Sequence, residues 1–212
     1  MRRPLLLVGA GGLARETLAA VRAGTDWDPI GALDDNPATH GTLIDGLPVL
    51  GPSTLVHEKT DAAVVICVAN VRRPYARRDI AARLDLPDGR YATVVHPAAS
   101  LAPGTEVGAG SILFAGVVVT APQRVGRHVL AMPHVVFTHD DEVGDHSCFA
   151  ARAVLAGGVH IGQCAYLGQG ALVREFTKIG EGAVIGMGSV VLTDVPAGQT
   201  WAGVPAKPLG DK

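Results

Sequence analysis

From Leu101 to Val191 an apolar residue occupies every sixth position, sixteen times without interruption, through Leu101, Val107, Leu113 and Val119 onward to Ile179, Ile185 and Val191. A period of six matches neither the 3.6-residue repeat of a helix nor the two-residue alternation of a lone strand. It is the repeat of a β-helix, in which short parallel strands stack coil upon coil and bury one continuous core. Four residues after each apolar position stands a small or β-branched residue, and only Gln123 and Asp141 depart from that rule. One residue after the apolar position, glycine recurs at Gly108, Gly126, Gly144, Gly162 and Gly180, eighteen residues apart. Eighteen residues make a triangular coil of three faces, with the recurring glycine expected at a corner where a Cβ would crowd the bend. About five such coils fit between Leu101 and Val195. At 48% apolar residues overall, chance does not produce sixteen matches in sixteen.

The first hundred residues follow another pattern. Leu5 to Val8 reads as a buried strand, Gly9-Ala10-Gly11-Gly12 as a tight turn and Leu13 to Arg22 as an amphipathic helix. A second strand at Pro29 to Leu33 ends in Asp34-Asp35-Asn36-Pro37, a loop runs through Gly46 to Pro52, and a third strand covers Ala63 to Val68. A helix from Arg72 to Leu84 and a strand at Tyr91 to Val95 follow. Alternating strands and helices indicate a small parallel α/β domain of Rossmann-like type over residues 1–97. His96-Pro97 is the joint, residues 98–212 form the β-helix domain, and the Gly- and Pro-rich tail after Pro196 is expected to cap its last coil. The glycine loop, with Ala14 in the slot of a third glycine, would aim backbone N–H groups and a helix N-terminus at an anion such as a phosphate. Alone it is equally what a tight strand–helix turn requires. Asp34 and Asp35 stand where a carboxylate that reads a hydroxyl or a base would lie, so a nucleotide-sized ligand is expected at this edge.

Composition narrows the partners. Eighteen Lys and Arg oppose 20 Asp and Glu, and no stretch interleaves dense basic charge with aromatics, so a nucleic-acid partner is not expected. Cys67, Cys148 and Cys164 form no CxxC pair and no even disulfide framework, which fits a reducing cytoplasm. Arg2-Arg3 before an apolar run could pass for a short signal peptide, but no cleavage site follows and a buried first strand is the better reading. The most apolar stretch, Ile112 to Val119, is too short to span a bilayer and belongs to the sixfold repeat, so no membrane partner is expected.

Several segments together carry a resemblance that spans nearly the whole chain. They are Val8-Gly9-Ala10-Gly11-Gly12, Leu33-Asp34-Asp35, Asn70 with Arg73, Thr138-His139-Asp140, Ala156 to Gly162, and Ala202-Gly203-Val204-Pro205-Ala206-Lys207. With them the chain resembles bacterial sugar acetyltransferases of the sialic acid O-acetyltransferase type, kin of the nucleotide-activated 4-amino-sugar N-acetyltransferases. The resemblance implies a left-handed β-helix, a homotrimer, and acetyl-CoA bound between neighbouring β-helices by Gly157, Ala202, Gly203, Val204, Pro205 and Lys207. It also implies an acceptor site at Gly9, Gly11, Gly12, Asp34, Asp35, Asn70 and Arg73. His139 would be the general base and the Gly157 N–H, one coil above, the oxyanion donor. The family places Glu after this His; Asp140 here is a methylene shorter, and Asp141 is an alternative partner for the ring. Cys148 replaces a second His often found nine positions on.

The activity so implied is acetyl transfer from acetyl-CoA to a UDP-, GDP- or dTDP-linked amino sugar by direct attack. O-acetylation of a free sugar, acylation of another small amine, and a non-catalytic scaffold are the alternatives. His134 and His139 have a spacing similar to the zinc-binding histidines of γ-type carbonic anhydrases, but Ala98 and Pro103 fill the positions of a third ligand, so no metal is expected. His128, His134, His146 and His160 read as surface or interface residues, and Cys148 and Cys164 as small apolar fillers with no activating base. The arginines between Arg72 and Arg83 read as a solvated face, with Arg73 set apart by its match to the family.

Overall fold

β1 (Arg3–Val8) runs through a five-stranded sheet of the computed structural model, which describes residues 2–210. Its apolar run is unbroken because both faces are covered. Leu5 and Leu7 pack with Ala14 and Leu18 of α1 (Gly12–Ala23), whereas Leu6 and Val8 pack with Leu84 of α2 (Ala76–Leu84). β1 lies parallel to β2 (Trp27–Leu33) on one side; the sheet continues through the antiparallel hairpin of β3 (Leu43–Ile44) and β4 (Leu47–Gly51), and β5 (Ala63–Ile66) pairs parallel to β1 on the other side. The segment expected as a loop at 46–52 is therefore largely strand. Asp45 and Gly46, both at positive φ, form the tight hairpin turn. α2 starts later than expected, because the Asn70 side chain accepts the Arg72 N–H at 2.9 Å and the chain turns through Pro74 first.

The remainder is a left-handed parallel β-helix built from two-residue strands. Three sheets form its faces. The first runs from Val94–Val95 through Ile112–Leu113 and every eighteenth residue to Val184–Ile185. The second runs from Ser100–Leu101 to Val190–Val191, and the third from Glu106–Val107 to Lys178–Ile179. The sixfold apolar residues point inward and, from Leu113 on, are buried; Leu101 and Val107 belong to the open first coil and are only partly covered. Phe137 and Phe149 meet edge to face at the centre, 4.8 Å between ring centroids. At Gly108, Gly126, Gly144, Gly162 and Gly180 the obstacle to a side chain is the next coil. A Cβ on Gly108 or Gly144 would sit 2.6 Å from backbone atoms of the next coil.

Val94–Val95, expected with the α/β strands, pairs instead with Ile112–Leu113, and only Tyr91 bridges to Val64 in the α/β sheet. Thr200–Gly203 adds in parallel to Val184–Ile185, and Ala206–Pro208 folds back antiparallel to close that sheet. The α/β domain packs on the first sheet, where Ile112 and Leu130 share a core with Ala14 and Leu18. It also reaches the edge between the third and first sheets: Arg77 donates to the His128 carbonyl at 3.0 Å. Arg77 is only 3% exposed, which corrects the expectation that this arginine-rich helix presents a wholly solvated face. Among the described residues no helix is long and apolar enough to cross a membrane.

Candidate active site

Every corner of the β-helix is a four-residue turn, and its third residue is almost always left-handed. Gly110, Gly116, His128, His134, Asp140, His146, Arg152, Gly158, Cys164, Gly170, Phe176, Gly182 and Gly188 all have φ between 52° and 76°. The turn Thr138 to Asp141 sits on the edge between the second and third sheets. That edge lies opposite the first sheet, the face the α/β domain covers. The left-handed backbone at Asp140, φ 62°, lets its short side chain fold back to the preceding ring. His139 Nδ1 lies 2.9 Å from Asp140 Oδ2, so the missing methylene does not prevent the contact. The pair is solvent-facing, with side-chain exposures of 64% and 84%.

Asp141 does something else. It is buried, its Oδ2 accepts the Thr138 N–H at 2.8 Å, and its Oδ1 accepts the Val159 N–H at 2.9 Å. Both oxygens are thus committed to backbone, and burial raises its pKa to about 6. Gln123, the other residue to break the small-residue rule, lies one coil below and accepts the Asp141 N–H at 3.0 Å. The two exceptions are one polar column.

Gly157 lies on the next coil of the same edge, directly against His139. A Cβ there would stand 2.5 Å from Nε2 and overlap the ring, so only glycine permits this approach. Among the described residues the Gly157 N–H and the His139 Nε2 make no hydrogen bond. An exposed imidazole, a carboxylate on its Nδ1 and, beneath the ring, a buried glycine whose N–H has no partner among the described residues therefore meet at one corner, groups of the kind that acid–base and oxyanion chemistry use.

The α/β residues occupy a separate place. Gly9, φ 109°, donates to the Leu33 carbonyl at 2.7 Å, and a Cβ would meet the Cys67 carbonyl at 2.9 Å. Gly11 and Gly12 open α1, and nothing lies within 4 Å of a Cβ at either, so the helix N-terminus faces open space. Asp34 Oδ2 accepts the Ala10 N–H at 2.8 Å and braces the glycine loop. Asp35 accepts from the Ser53 N–H and hydroxyl and pairs with Arg83 at 2.8 Å; the Ser53 hydroxyl is the main reason its carboxyl is held below the usual range. Asn70 shapes the turn before α2, and exposed Arg73 lines a crevice with Arg77, His146 and Tyr166. A cleft of about 460 Å³ opens between the start of α1 and the first sheet, bounded by Leu13, Glu16, Ala69, Met132 and Tyr166. Ala202, Gly203, Val204, Pro205 and Lys207 form the exposed C-terminal hairpin, where the Gly203 N–H reaches the Ser189 hydroxyl at 3.2 Å.

The remaining histidines and cysteines sit elsewhere. His134 stacks on Gly116 at a different edge from His139, and among the described residues no cluster of His, Cys, Asp or Glu could hold a metal. His128 and His146 stack face to face at 4.9 Å beneath the α/β domain, and burial lowers them to about 3 and about 4. Burial likewise pushes Cys67 up to about 12 and Cys148 and Cys164 to about 11, which favours the protonated thiol over the nucleophilic thiolate at neutral pH.

Comparison with known proteins agrees with this anatomy. Residues 4–84 match the PglD N-terminal domain family. Along its whole length the chain is similar to the acetyltransferase domain of PglB from Neisseria gonorrhoeae FA1090, with 29% identity, 98% of this chain and 100% of that one covered, and a TM-score of 0.85. PerB from Caulobacter crescentus, solved in complex with CoA and GDP-perosamine, is 27% identical over 98% of this chain and 97% of its own, with a TM-score of 0.86. WeeI from Acinetobacter baumannii AYE is 27% identical over 97% and 99%, with a TM-score of 0.79. The search of curated proteins gives no match.

Proposed function

From the premise that the chain is a sugar acetyltransferase of the PglD/NeuD-like hexapeptide-repeat type, we propose that it moves an acetyl group from acetyl-CoA to the amine of a nucleotide-linked amino sugar. The observation that carries the reading is the packing of His139 on Gly157 with Asp140 on Nδ1. His139 Nε2 takes the proton of the attacking amine, Asp140 favours the imidazolium, and the Gly157 N–H receives the developing negative charge on the carbonyl oxygen. As the C–S bond breaks, the CoA sulfur leaves and takes that proton from His139, so the site ends as it began. The thioester is already activated, and no protein nucleophile is required. PerB's complex with CoA and GDP-perosamine supports a nucleotide-linked amino sugar as acceptor. On this reading the open start of α1 binds the diphosphate and Asp35 or Arg73 contacts the nucleoside; the Gly203 to Lys207 hairpin contributes to the CoA site.

The acceptor cleft lies on the first sheet and His139 on the opposite edge, so one copy cannot join them. The second sheet, uncovered by the α/β domain, presents Val118, Val136, Val154, Leu172 and Val190 outward, and Leu172 is 46% exposed. A column of this kind is a natural self-association face. We assign it to a homotrimer in which the acceptor held by one copy reacts at His139 of the next. Thiol release from acetyl-CoA, measured with UDP-, GDP- and dTDP-linked 4-amino sugars and with the free sugars, tests the reading. Turnover that requires the nucleotide is expected. Equal turnover of a free sugar, or none on any acceptor, overturns it. Sedimentation at working concentration reports the trimer separately.

A further inference from the structure

The turns of the β-helix do not all close in the same way. On two edges, the fourth residue of a turn donates its N–H to the carbonyl of the first, as from Ala153 to Ala150 at 3.2 Å, Ala171 to Gly168 at 3.0 Å and Ala183 to Gly180 at 3.1 Å. On the edge that carries His139 this bond forms in the first turn, from Thr105 to Ala102 at 3.0 Å, and is replaced at the His139 and Gly157 turns. The Asp141 N–H goes to the Gln123 side chain, and the Val159 N–H goes to Asp141 Oδ1. The other carboxylate oxygen takes the Thr138 N–H, at the residue before His139. One buried side chain thus holds both the turn that carries the base and the turn that carries Gly157. A second link runs alongside, from the Gly158 N–H to the His139 carbonyl at 2.9 Å.

We infer that Asp141 is a positioning residue that ties the His139 turn to the Gly157 turn and sets the distance between base and oxyanion donor. The inference rests on the acetyl-transfer reading for its consequence and on the hydrogen bonds alone for its geometry. Asp141 neither touches His139 Nδ1, which Asp140 occupies, nor reaches solvent. Its carboxylate takes the N–H that would close the Gly157 turn while holding the Thr138 N–H of its own turn, so the link crosses the coils. A reacting pair displaced by about 1 Å loses up to about 100-fold in rate, so a bond of this kind matters more to turnover than to folding.

Asp141→Ala is a fair test, because Ala153, Ala165, Ala171 and Ala183 fill the equivalent inward position in other turns and the standard closure can form. Expected is a fall in kcat of about tenfold or more, with KM for acetyl-CoA and acceptor within twofold and the melting temperature nearly unchanged. Asp141→Asn, which keeps one acceptor, should recover part of the loss. Ser147→Ala, at the same turn position on another edge, should leave turnover as it was. A second measurement needs no acceptor: the Gly157 amide and His139 ring resonances should both move in Asp141→Ala. Unmoved resonances with kcat within twofold of wild type would overturn the inference. So would a loss of rate that merely follows loss of folded protein and is not relieved in Asp141→Asn. If the wild-type chain acetylates no acceptor at all, the functional reading fails, and the two resonances still decide whether the tie exists.

Discussion

Histidines on two edges of the same β-helix are chemically opposite. On the edge beneath the α/β domain, His128 and His146 stack on each other, Tyr91 meets His128 edge-on at 4.4 Å, and neither Nδ1 has a hydrogen-bond partner among the described residues. On the far edge His139 faces solvent, with Asp140 on Nδ1 and glycine beneath its ring. The repeat supplies the same turn to both. What differs is what lies outside the coil: a folded domain that expels water in one case, and solvent in the other. The scaffold therefore provides position, and the surroundings provide reactivity.

That contrast can be broken most directly at His139. His139→Ala should lower kcat by about 100-fold or more while leaving CoA affinity and assembly intact, as loss of a general base does; calorimetry with CoA and sedimentation supply the controls. Undiminished rates across the pH range would mean the amine gives its proton to water. Gly157→Ala comes next. Its N–H survives but its methyl displaces the His139 ring, and a misplacement of that order lowers kcat by roughly 100-fold at most. Asp140→Asn should cost about tenfold, since the ring keeps a hydrogen-bonding neighbour but loses the charge that favours the imidazolium. A loss equal to that of His139→Ala would show the carboxylate to be more than an orienting group.

The smallest effect belongs to the covered edge and concerns stability. His128 and His146 remain neutral in the folded chain down to about pH 3 and 4, whereas the unfolded chain protonates them near pH 6.5. The unfolded state then binds more protons, so their contribution is complete above pH 6.5 and is lost progressively as pH falls toward 4 for His146 and toward 3 for His128. Asp141, raised to about 6, acts in the opposite sense between roughly pH 4 and 6 and offsets part of the loss. Melting temperature should fall over this window, with a shallower slope in His128→Leu. An unchanged slope would show that the imidazole is hydrated.

The fold of the β-helix was legible because its signal is local: inward positions repeat at six, and the crowded glycines at eighteen. The α/β core was legible for the same reason in Leu5 to Val8. Features set by contacts between distant segments were not. Burial of Arg77 depends on carbonyls at Val68 and His128, and the pairing of Val94–Val95 depends on a strand eighteen residues later with no earlier coil to announce it. At the candidate site, His139, Asp140 and Gly157 were readable as a motif, but the division of labour between the two aspartates was not. It turns on a left-handed φ at Asp140 that folds one carboxylate back to the ring while the other points inward. Gln123 and Asp141 were visible as exceptions; only their eighteen-residue separation hinted that they form one column.

The left-handed third residue of each turn has a consequence for how such a chain can change. Glycine is the least strained occupant, and a side chain there is disfavoured by about 1–2 kcal/mol. Departures from glycine therefore mark where a projecting group has been retained against conformational preference. His128 and His146 serve the domain contact, and Asp140 holds the His139 ring. Arg152, exposed and with no side-chain hydrogen bond or ion pair among the described residues, has no such use within one copy. Glycine at that corner would relax the backbone without touching either edge, which makes it a place where stability can be raised independently of catalysis.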